Sequence, residues 1–194
     1  RRQPRAIAPA DFVRLFNATR DDDAGIRDRA LLVFFADTGC RLGGLVGLRV
    51  DRLSLGSKSA QVIEKGNKLR TLYFTRYTVA LVSQWLAVRQ SSSDRVFVSM
   101  ATGAALTESG VHQLLKRLKT RAGVQGRVNP HSFRHRFALE YRLQGGDIST
   151  LALFLGNSIE VAFAYYSIFD DQELHELRER HDPMAALIES GEMR

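Results

Sequence analysis

One stretch interrupts an otherwise helical pattern and so limits the folds open to this chain. From residue 54 to 74 the sequence is rich in β-branched and aromatic residues, with Gln61–Glu64 and Leu69–Phe74 on either side of Lys65-Gly66-Asn67-Lys68. This pattern predicts a β-hairpin with a tight turn and a basic tip, and Leu53–Leu55 is a candidate third strand. Apolar residues elsewhere follow helical spacing. The chain is therefore predicted to be mainly α with a small antiparallel β-sheet, an α+β fold.

Caps and apolar spacing divide the helical parts into separate segments. A helix is predicted to open at Pro9, and a second, nearly apolar helix is predicted over 27–37, buried on most sides. Between them, Asp21–Gly25 is predicted to be an exposed acidic loop. Further helices are predicted after Arg41, over 78–89, from Thr107, from Asn129, from Asp147 to Gly156, from Ser158, and over the tail from Asp171 with a break at Asp182-Pro183.

Composition and charge narrow the possible partners. The 194 residues can build one good-sized core, so we expect a single domain over 1–194, with 1–8 as a basic linker and 170–194 as a tail. The net charge of +7 favours a polyanionic partner such as nucleic acid. Cys40 is the only cysteine, which fits a reducing compartment, and no apolar run is long enough to span a bilayer. We therefore expect a cytoplasmic protein. The chain does not begin with Met and is expected to be part of a longer one.

The stretch from 129 to 137 has the strongest chemical character. It places four basic or imidazole side chains within six residues, directly after Asn129-Pro130. Asn129 is a good N-cap, and Pro130 suits the first helical position. His131 and Arg134 are three residues apart and share a helix face. A helix N-terminus with these side chains is a natural site for an anion such as phosphate, and a basic surface helix is the alternative.

Three other features are compatible with the same chemistry, although each also has a structural explanation. Arg41 follows a glycine turn and is also consistent with a salt bridge or a helix-dipole contact. Lys65, at the predicted hairpin tip, is also consistent with a solvated turn. The adjacent Tyr165 and Tyr166 are also consistent with core aromatic residues.

Taken in chain order, these features resemble the tyrosine recombinases, or phage-integrase family, from Pro4 to about Leu187. His131-Ser132-Phe133-Arg134-His135 is similar to the family's His-x-x-Arg-His segment. The other similar segments are Thr38-Gly39-Cys40-Arg41-Leu42, the lysine hairpin Val62–Arg70, Leu155-Gly156-Asn157-Ser158, and Tyr166, nine residues beyond Asn157. The resemblance implies the tyrosine-recombinase catalytic-domain fold of DNA breaking-rejoining enzymes.

The resemblance also implies catalytic roles that agree with phosphodiester chemistry. Arg41 and Arg134 are expected to bind the non-bridging oxygens, because a planar guanidinium binds phosphate bidentately. Tyr166 is the expected nucleophile, which stores the strand as a covalent phosphotyrosine. His131 is the candidate base or proton shuttle, and Lys65 is the candidate general acid for the leaving 5′ oxygen. The predicted DNA-contacting residues beside them are Lys68, Arg70 and His135.

The two tyrosines require a choice. Adjacent helical residues point about 100° apart, so only one of them can face the site. The offset from Asn157 favours Tyr166 as the nucleophile, which leaves Tyr165 as a packing residue.

Two positions depart from the family's pattern. Gly44 stands where the family usually has an acidic residue, three residues after the first arginine, so a partner for a catalytic cation is missing. Asn157 stands where a histidine, or sometimes a tryptophan, is usual. Its amide can donate a hydrogen bond to a phosphate oxygen but cannot carry a proton or a charge. Reduced activity, or compensation by a side chain such as His135, would follow.

We therefore expect a site-specific DNA recombinase or integrase that acts on double-stranded DNA and needs no metal and no nucleotide cofactor. A type IB topoisomerase and a catalytically impaired DNA-binding relative are the alternatives. The resemblance also implies an N-terminal helical DNA-clamping domain beyond this chain and a prokaryotic nucleoid, phage or mobile-element origin. The resemblance also implies a homo-tetramer on DNA, in which the tail docks on a neighbouring subunit; the alternative is that the tail folds back on its own domain. The docking side chains would be Leu174, Leu177, Met184, Leu187 and Ile188.

Overall fold

Helices dominate the computed structural model of the chain, which describes residues 6–64, 68–166 and 171–180. The chain forms two compact units, residues 1–137 and 138–194, and the boundary falls within the sixth helix. The elements of the described residues are α1 (Pro9–Asn17), α2 (Asp23–Thr38), α3 (Leu42–Val46), a 3-10 helix (Val50–Arg52), β1 (Leu53–Ser54), β2 (Ser59–Glu64), β3 (Lys68–Tyr73), α4 (Arg76–Val88), α5 (Glu108–Arg121), α6 (Pro130–Leu143), α7 (Ile148–Leu155), α8 (Ile159–Tyr166) and α9 (Asp171–Arg180). The predicted mainly helical fold with a small antiparallel sheet is confirmed.

The sheet is a three-stranded antiparallel meander in the order β1-β2-β3. Glu64 pairs with Lys68 at the end of the hairpin, and Leu53 pairs with Ala60 at the other edge. Along β2, Ala60 and Val62 are buried whereas Gln61 and Ile63 are exposed, as the two-residue repeat of a strand requires. The predicted hairpin and the third strand are confirmed, and the turn residues 65–67 lie outside the described residues.

The core of the first unit is built around α2. This helix is buried on most of its surface, as its apolar sequence predicted, and Phe34 and Phe35 are fully covered. Burying side chains of this size stabilises the fold by roughly 1.5–3 kcal/mol each. Phe34 packs edge-on against Phe97, and Phe35 stacks on Phe133 of α6. Because Phe133 lies between the two residues predicted to bind an anion, this contact fixes the start of α6 against the core.

The start of α2 differs from the prediction of a loop over Asp21–Gly25. Asp22 is the N-cap, and its side chain accepts a hydrogen bond of 2.9 Å from the N–H of Gly25. Gly25 is buried because the chain passes over it: a Cβ at this position would lie 1.7 Å from the carbonyl oxygen of Arg20. An aspartate-rich stretch before a glycine was therefore a helix start and not a loop.

Part of the predicted basic linker packs in the core. Ile7 is 1% exposed, and its N–H donates a 3.1 Å hydrogen bond to the carbonyl of Ser132 in α6. Ile7 lies two residues before Pro9 and follows a run rich in arginine, which is why the sequence predicts a linker there, but its burial gives it a structural role. Residues 1–5 lie outside the described residues.

The second unit contains the end of α6 and the last three helices. Asp147 caps α7, as predicted, by accepting a 2.8 Å hydrogen bond from the N–H of Thr150. The helix ends at Gly156, which has the left-handed conformation (φ 60°) typical of a C-cap. Ser158 lies at the start of α8, where its hydroxyl accepts from the N–H of Val161.

Asp37, in α2, caps the start of α4 and can be tested by substitution. Its Oδ2 accepts from the N–H of Thr75 at 2.6 Å, the Thr75 hydroxyl at 2.9 Å and the Thr78 hydroxyl at 2.6 Å. Asp37→Ala is expected to lower the free energy of unfolding by about 2 kcal/mol, because a helix cap and charge-assisted hydrogen bonds are lost together. Urea denaturation followed by circular dichroism measures this change.

The matched control is Asp21→Ala, whose side chain is fully exposed. A surface change of this kind is expected to stay within about 0.5 kcal/mol. Equal effects of the two substitutions would show that Asp37 does not stabilise α4.

Candidate functional site

A small pocket in the first unit collects three of the basic or imidazole residues singled out by the sequence, Arg41, His131 and Arg134. Its volume is about 50 Å³, enough for a few waters or one small anion. It is lined by Cys40, Arg41, Leu42, His112, Pro130, His131 and Arg134. Residues about ninety positions apart in the chain therefore meet at one place, as the phosphate-site prediction requires.

Arg41 is presented to the pocket by the turn between α2 and α3. Gly39 ends α2 in the left-handed conformation (φ 57°, ψ 23°), which a residue with a side chain rarely adopts. Arg41 is then the N-cap residue of α3, and its carbonyl accepts from the N–H of Leu45 at 3.1 Å. Its side chain is 38% exposed. The backbone of Arg41 is thus fixed between the end of α2 and the start of α3, while its guanidinium still reaches solvent.

Arg134 reaches the same pocket from the first turns of α6, but from inside the protein. It is 6% exposed, and its Nη1 donates a 2.8 Å hydrogen bond to the carbonyl of Gly39. That carbonyl belongs to the turn that carries Arg41. The Arg134 guanidinium is therefore joined to the backbone of Arg41 through two residues of the turn.

The start of α6 follows the sequence prediction. Asn129 Oδ1 accepts from the N–H of Ser132 at 2.9 Å, and Pro130 is the first helical residue. His131 follows and is exposed at the pocket rim. Backbone N–H groups at a helix start, together with an imidazole and a guanidinium, favour a bound anion.

Glu64, at the end of β2, carries the negative charge next to this pocket. Its Oε2 accepts from Nη1 of Arg41, and its Oε1 accepts from Nη2 of Arg70 at 2.6 Å. The side chains of Glu64 and Arg70 are 8% and 11% exposed. Burial lowers the pKa of the Arg70 guanidinium from its ordinary value, and the Glu64 carboxylate opposes that shift. One carboxylate therefore faces two guanidinium groups, and the cluster keeps a positive balance.

Several of the predicted site residues do not line this pocket or lie outside the described residues. Lys65 lies outside the described residues, as do the side chains of Lys68, Tyr165 and Tyr166. Asn157 and Tyr166 belong to the second unit, where Asn157 follows the C-cap of α7 and Tyr166 is the last residue of α8.

Two of the predicted DNA-contacting residues can be located. Arg70, predicted to contact DNA, points its guanidinium to Glu64. His135 is half-buried on α6. Their contact with DNA stays a prediction.

Two residues of the site were missed by the sequence reasoning. The sequence did carry a signal for Glu64. It lies two residues after Val62 and four after Ala60, so all three share the buried face of β2, where a carboxylate needs a cationic partner. His112 lines the pocket from α5 and is otherwise an ordinary exposed helix residue, so no local pattern marks it.

The described residues contain neither a cluster suited to a metal ion nor a membrane-spanning helix. Within 6–64, 68–166 and 171–180, the structure holds no group of three or more His, Cys, Asp and Glu side chains placed to bind a metal ion. Over the same ranges, no helix combines the length and the apolar character needed to cross a bilayer.

Known proteins are similar to this chain over nearly its whole length. A family model described as the phage integrase family matches residues 5–172. The tyrosine recombinase XerC of Xanthomonas axonopodis pv. citri is 30% identical over 192 residues, which is 99% of this chain and 63% of the relative. XerC of Xanthomonas campestris pv. campestris is 31% identical over 95% of this chain and 58% of its own length. The chain thus spans less than two thirds of the length of these relatives.

Solved structures show the same fold. The crystal structure of XerA recombinase is 26% identical with a TM-score of 0.82, covering 94% of this chain and 67% of that one. A pre-cleavage complex of XerH recombinase bound to difH substrate has a TM-score of 0.71 at 22% identity, covering 91% and 54%. The Tn1549 transposon integrase in complex with transposon right-end DNA has a TM-score of 0.75 at 16% identity, covering 92% and 66%. The last two likenesses concern the fold alone.

Cys40 tests how tightly the pocket wall is packed. Burial raises the pKa of its thiol to about 11, against which the nearby Thr38 hydroxyl and arginines act only partly. Because the thiolate is the reactive form, the thiol is expected to react with a disulfide reagent at pH 8 at least roughly 100-fold more slowly in the native chain than in guanidinium chloride. The native rate should rise as the pH approaches 11.

A free thiol in a short unstructured peptide serves as the control for the reagent at each pH. Rapid reaction of the native protein at pH 8 would show that the wall beside Arg41 opens readily.

Proposed function

Because this chain belongs to the phage integrase family, we propose that it is the catalytic part of a tyrosine-type site-specific DNA recombinase or integrase. It cleaves and rejoins DNA strands through a 3′-phosphotyrosyl intermediate. The observation that carries this proposal is the convergence of Arg41, His131 and Arg134 on one small pocket. Two guanidinium groups and an imidazole at a helix N-terminus suit a phosphodiester better than any uncharged substrate.

The covalent step needs only one bond to form and one to break. The Tyr166 Oη attacks the scissile phosphorus, and the bond from phosphorus to the 5′ oxygen breaks, leaving the strand linked through its 3′ phosphate. Attack by a 5′ hydroxyl on the phosphotyrosine reverses the step and joins the strand to the same or a new partner. Since the number of phosphoester bonds is unchanged, no nucleotide energy source is required.

The arginines stabilise the charge that develops on the phosphorus oxygens. Phosphoryl transfer depends mostly on positioning and electrostatics, so two guanidiniums held by a common turn suit it. Arg134 is fixed on the Gly39 carbonyl, whereas Arg41 is more exposed and lies nearer to an incoming strand.

Two proton transfers complete the step. Tyrosine has an unperturbed pKa of about 10 and must lose its proton to attack, so His131 accepts it. The leaving 5′ oxygen must gain a proton, which Lys65 at the hairpin tip donates. His131 then returns a proton when the phosphotyrosine is resolved.

The remaining assignments follow from charge. Double-stranded DNA is the proposed partner, contacted in addition by Lys68, Arg70 and His135, and the affinity of this chain for DNA falls steeply with salt. The tail from 170 to 194 docks on a neighbouring subunit of a tetramer, and Leu174 of α9, half exposed, is one docking side chain. The protein works in the cytoplasm as one catalytic domain, with a DNA-clamping domain preceding it.

Of the alternatives, an impaired DNA-binding relative is the one that a sequence feature favours, because Asn157 cannot carry a proton. A type IB topoisomerase is not favoured, since the relatives named above are recombinases and integrases.

Trapping the covalent intermediate tests the proposal. Full-length protein is incubated with nicked suicide duplexes whose released fragment diffuses away, using a pool of randomised sequences so that the target need not be known. Wild type is expected to form a protein–DNA adduct that survives denaturing electrophoresis. Tyr166→Phe is expected to form none, because it lacks the attacking oxygen.

Tyr165→Phe is the matched control and should keep the adduct. Failure of the wild type with the whole pool would overturn the enzyme proposal. Loss of the adduct with Tyr165→Phe, but not with Tyr166→Phe, would move the nucleophile by one position.

Asn157 gives a graded test of the same step. Asn157→Ala is expected to slow adduct formation about tenfold, since a neutral hydrogen bond contributes about 1–1.5 kcal/mol. Asn157→His is expected to speed it by about tenfold, because an imidazolium adds a charge and a proton. Single-turnover rates on a selected suicide substrate measure both. Identical rates for all three proteins would show that residue 157 does not contact the phosphate.

A further inference from the structure

Glu64 was not part of the chemistry expected from the sequence, yet it contacts the most exposed arginine of the pocket. It bonds Arg41 with one carboxylate oxygen and Arg70 with the other. We propose that Glu64 is a positioning residue for strand cleavage, which aims the Arg41 guanidinium at the scissile phosphate. This inference rests on the recombinase function proposed above.

The burial of Glu64 shows that its contacts are built into the fold. A side chain that is 8% exposed has lost most of its water, and a carboxylate is stable there only when cations replace that water. The hairpin register brings Arg70 within reach, because it lies diagonally across from Glu64, two residues beyond its partner Lys68. Arg70 neutralises the carboxylate from the interior, which leaves the second oxygen for Arg41.

Arg41 is the residue that needs such a partner. Arg134 is held by the Gly39 carbonyl and is almost fully buried, whereas the Arg41 side chain is 38% exposed. A long exposed side chain samples several rotamers, and an error of about 1 Å in placing a catalytic group can cost about 100-fold in rate. A carboxylate on the paired end of β2 restricts the Arg41 guanidinium at the pocket edge.

Position 44 supplies an independent argument. The family's usual acidic residue is absent there, but Gly44 lies against β2. A Cβ at residue 44 would lie 3.6 Å from Val62 Cγ2 and 4.0 Å from Glu64 Oε1, which are ordinary contact distances. A side chain on residue 44 would therefore start in contact with the Glu64 carboxylate, close to the guanidinium groups that it pairs with. Glu64 performs from the strand what that residue would perform from α3.

The proximity of positions 44 and 64 predicts that a carboxylate at residue 44 can replace the one at residue 64. Glu64→Gln keeps the shape and removes the charge, and it is expected to lower the single-turnover rate of adduct formation roughly 100-fold. DNA affinity, measured separately, should change by less than about threefold, because DNA binding is spread over many phosphate contacts. Adding Gly44→Asp to Glu64→Gln should recover at least about tenfold of the lost rate.

Gly44→Ala combined with Glu64→Gln is the matched control. It adds the same Cβ without a charge and gains at least as much helix propensity as aspartate does, so it should not recover the rate. Equal recovery by Ala and Asp would overturn the proposal, since helix stability alone would then explain it. A wild-type rate for folded Glu64→Gln would overturn it as well.

Substitution at Glu64 also removes the charged partner of Arg70. The thermal melting curve of Glu64→Gln is therefore measured with its rate, to show that the variant is folded in the assay. Should it be unfolded at the assay temperature, Gly44→Asp with Glu64 intact decides the question. Two carboxylates then compete for one guanidinium, and the rate should fall about tenfold relative to Gly44→Ala. Equal rates for these two proteins would count against the proposal.

A readout that needs no DNA separates this inference from the proposed function. The Nη–H signals of Arg41 and Arg70, which are the groups that Glu64 accepts from, are followed by nitrogen-15 NMR and assigned by their loss in Arg41→Lys and Arg70→Lys. Glu64→Gln should speed the exchange of both signals with solvent, and Gly44→Asp should restore slow exchange for Arg41 alone. If wild type forms no adduct but these shifts occur, only the enzymatic proposal fails. If wild type forms the adduct and Arg41 exchange does not respond to Glu64→Gln, only the positioning role fails.

Discussion

The hydrogen bond from the Arg134 guanidinium to the Gly39 carbonyl is the contact on which the site depends. It joins the first turns of α6 to the turn between α2 and α3, two residues before Arg41. The bond is buried, so breaking it would leave a charged donor and a carbonyl without water, which is costly. The positive φ of Gly39 is what turns that carbonyl toward α6. A glycine conformation and a buried arginine therefore set the separation of the two proposed phosphate ligands.

Charge balance around the pocket follows from the same packing. Three guanidinium groups and the imidazoles of His112 and His131 lie near the Glu64 carboxylate, which is itself paired to two of the guanidiniums. The excess positive charge would repel itself in an empty pocket and is relieved when a phosphate enters. Cys40, in the wall, contributes no charge because burial raises the pKa of its thiol. The arrangement favours a bound anion.

Local sequence signals predicted the helix starts and the hairpin well. Thr107, Asn129 and Asp147 each accept a hydrogen bond from an N–H three residues later, as their side-chain chemistry requires. The prediction was wrong at two places. The Asp21–Gly25 stretch contains the start of α2, because the Asp22 side chain accepts from the N–H of Gly25. Ile7 packs in the core because α6, far along the chain, provides it with a buried partner.

The sequence by itself determined the family, the fold class and the chemical kinds of group at the site, because each of these is carried by short segments with their own residue pattern. Only the tertiary structure decided that Arg134 is anchored by Gly39, that Arg70 turns inward, and that Glu64 serves Arg41 in place of the acidic residue missing at position 44. These partners come from different elements and are chosen by burial. A buried charge must find its counter-charge wherever the packed chain places one, and no local pattern records that choice.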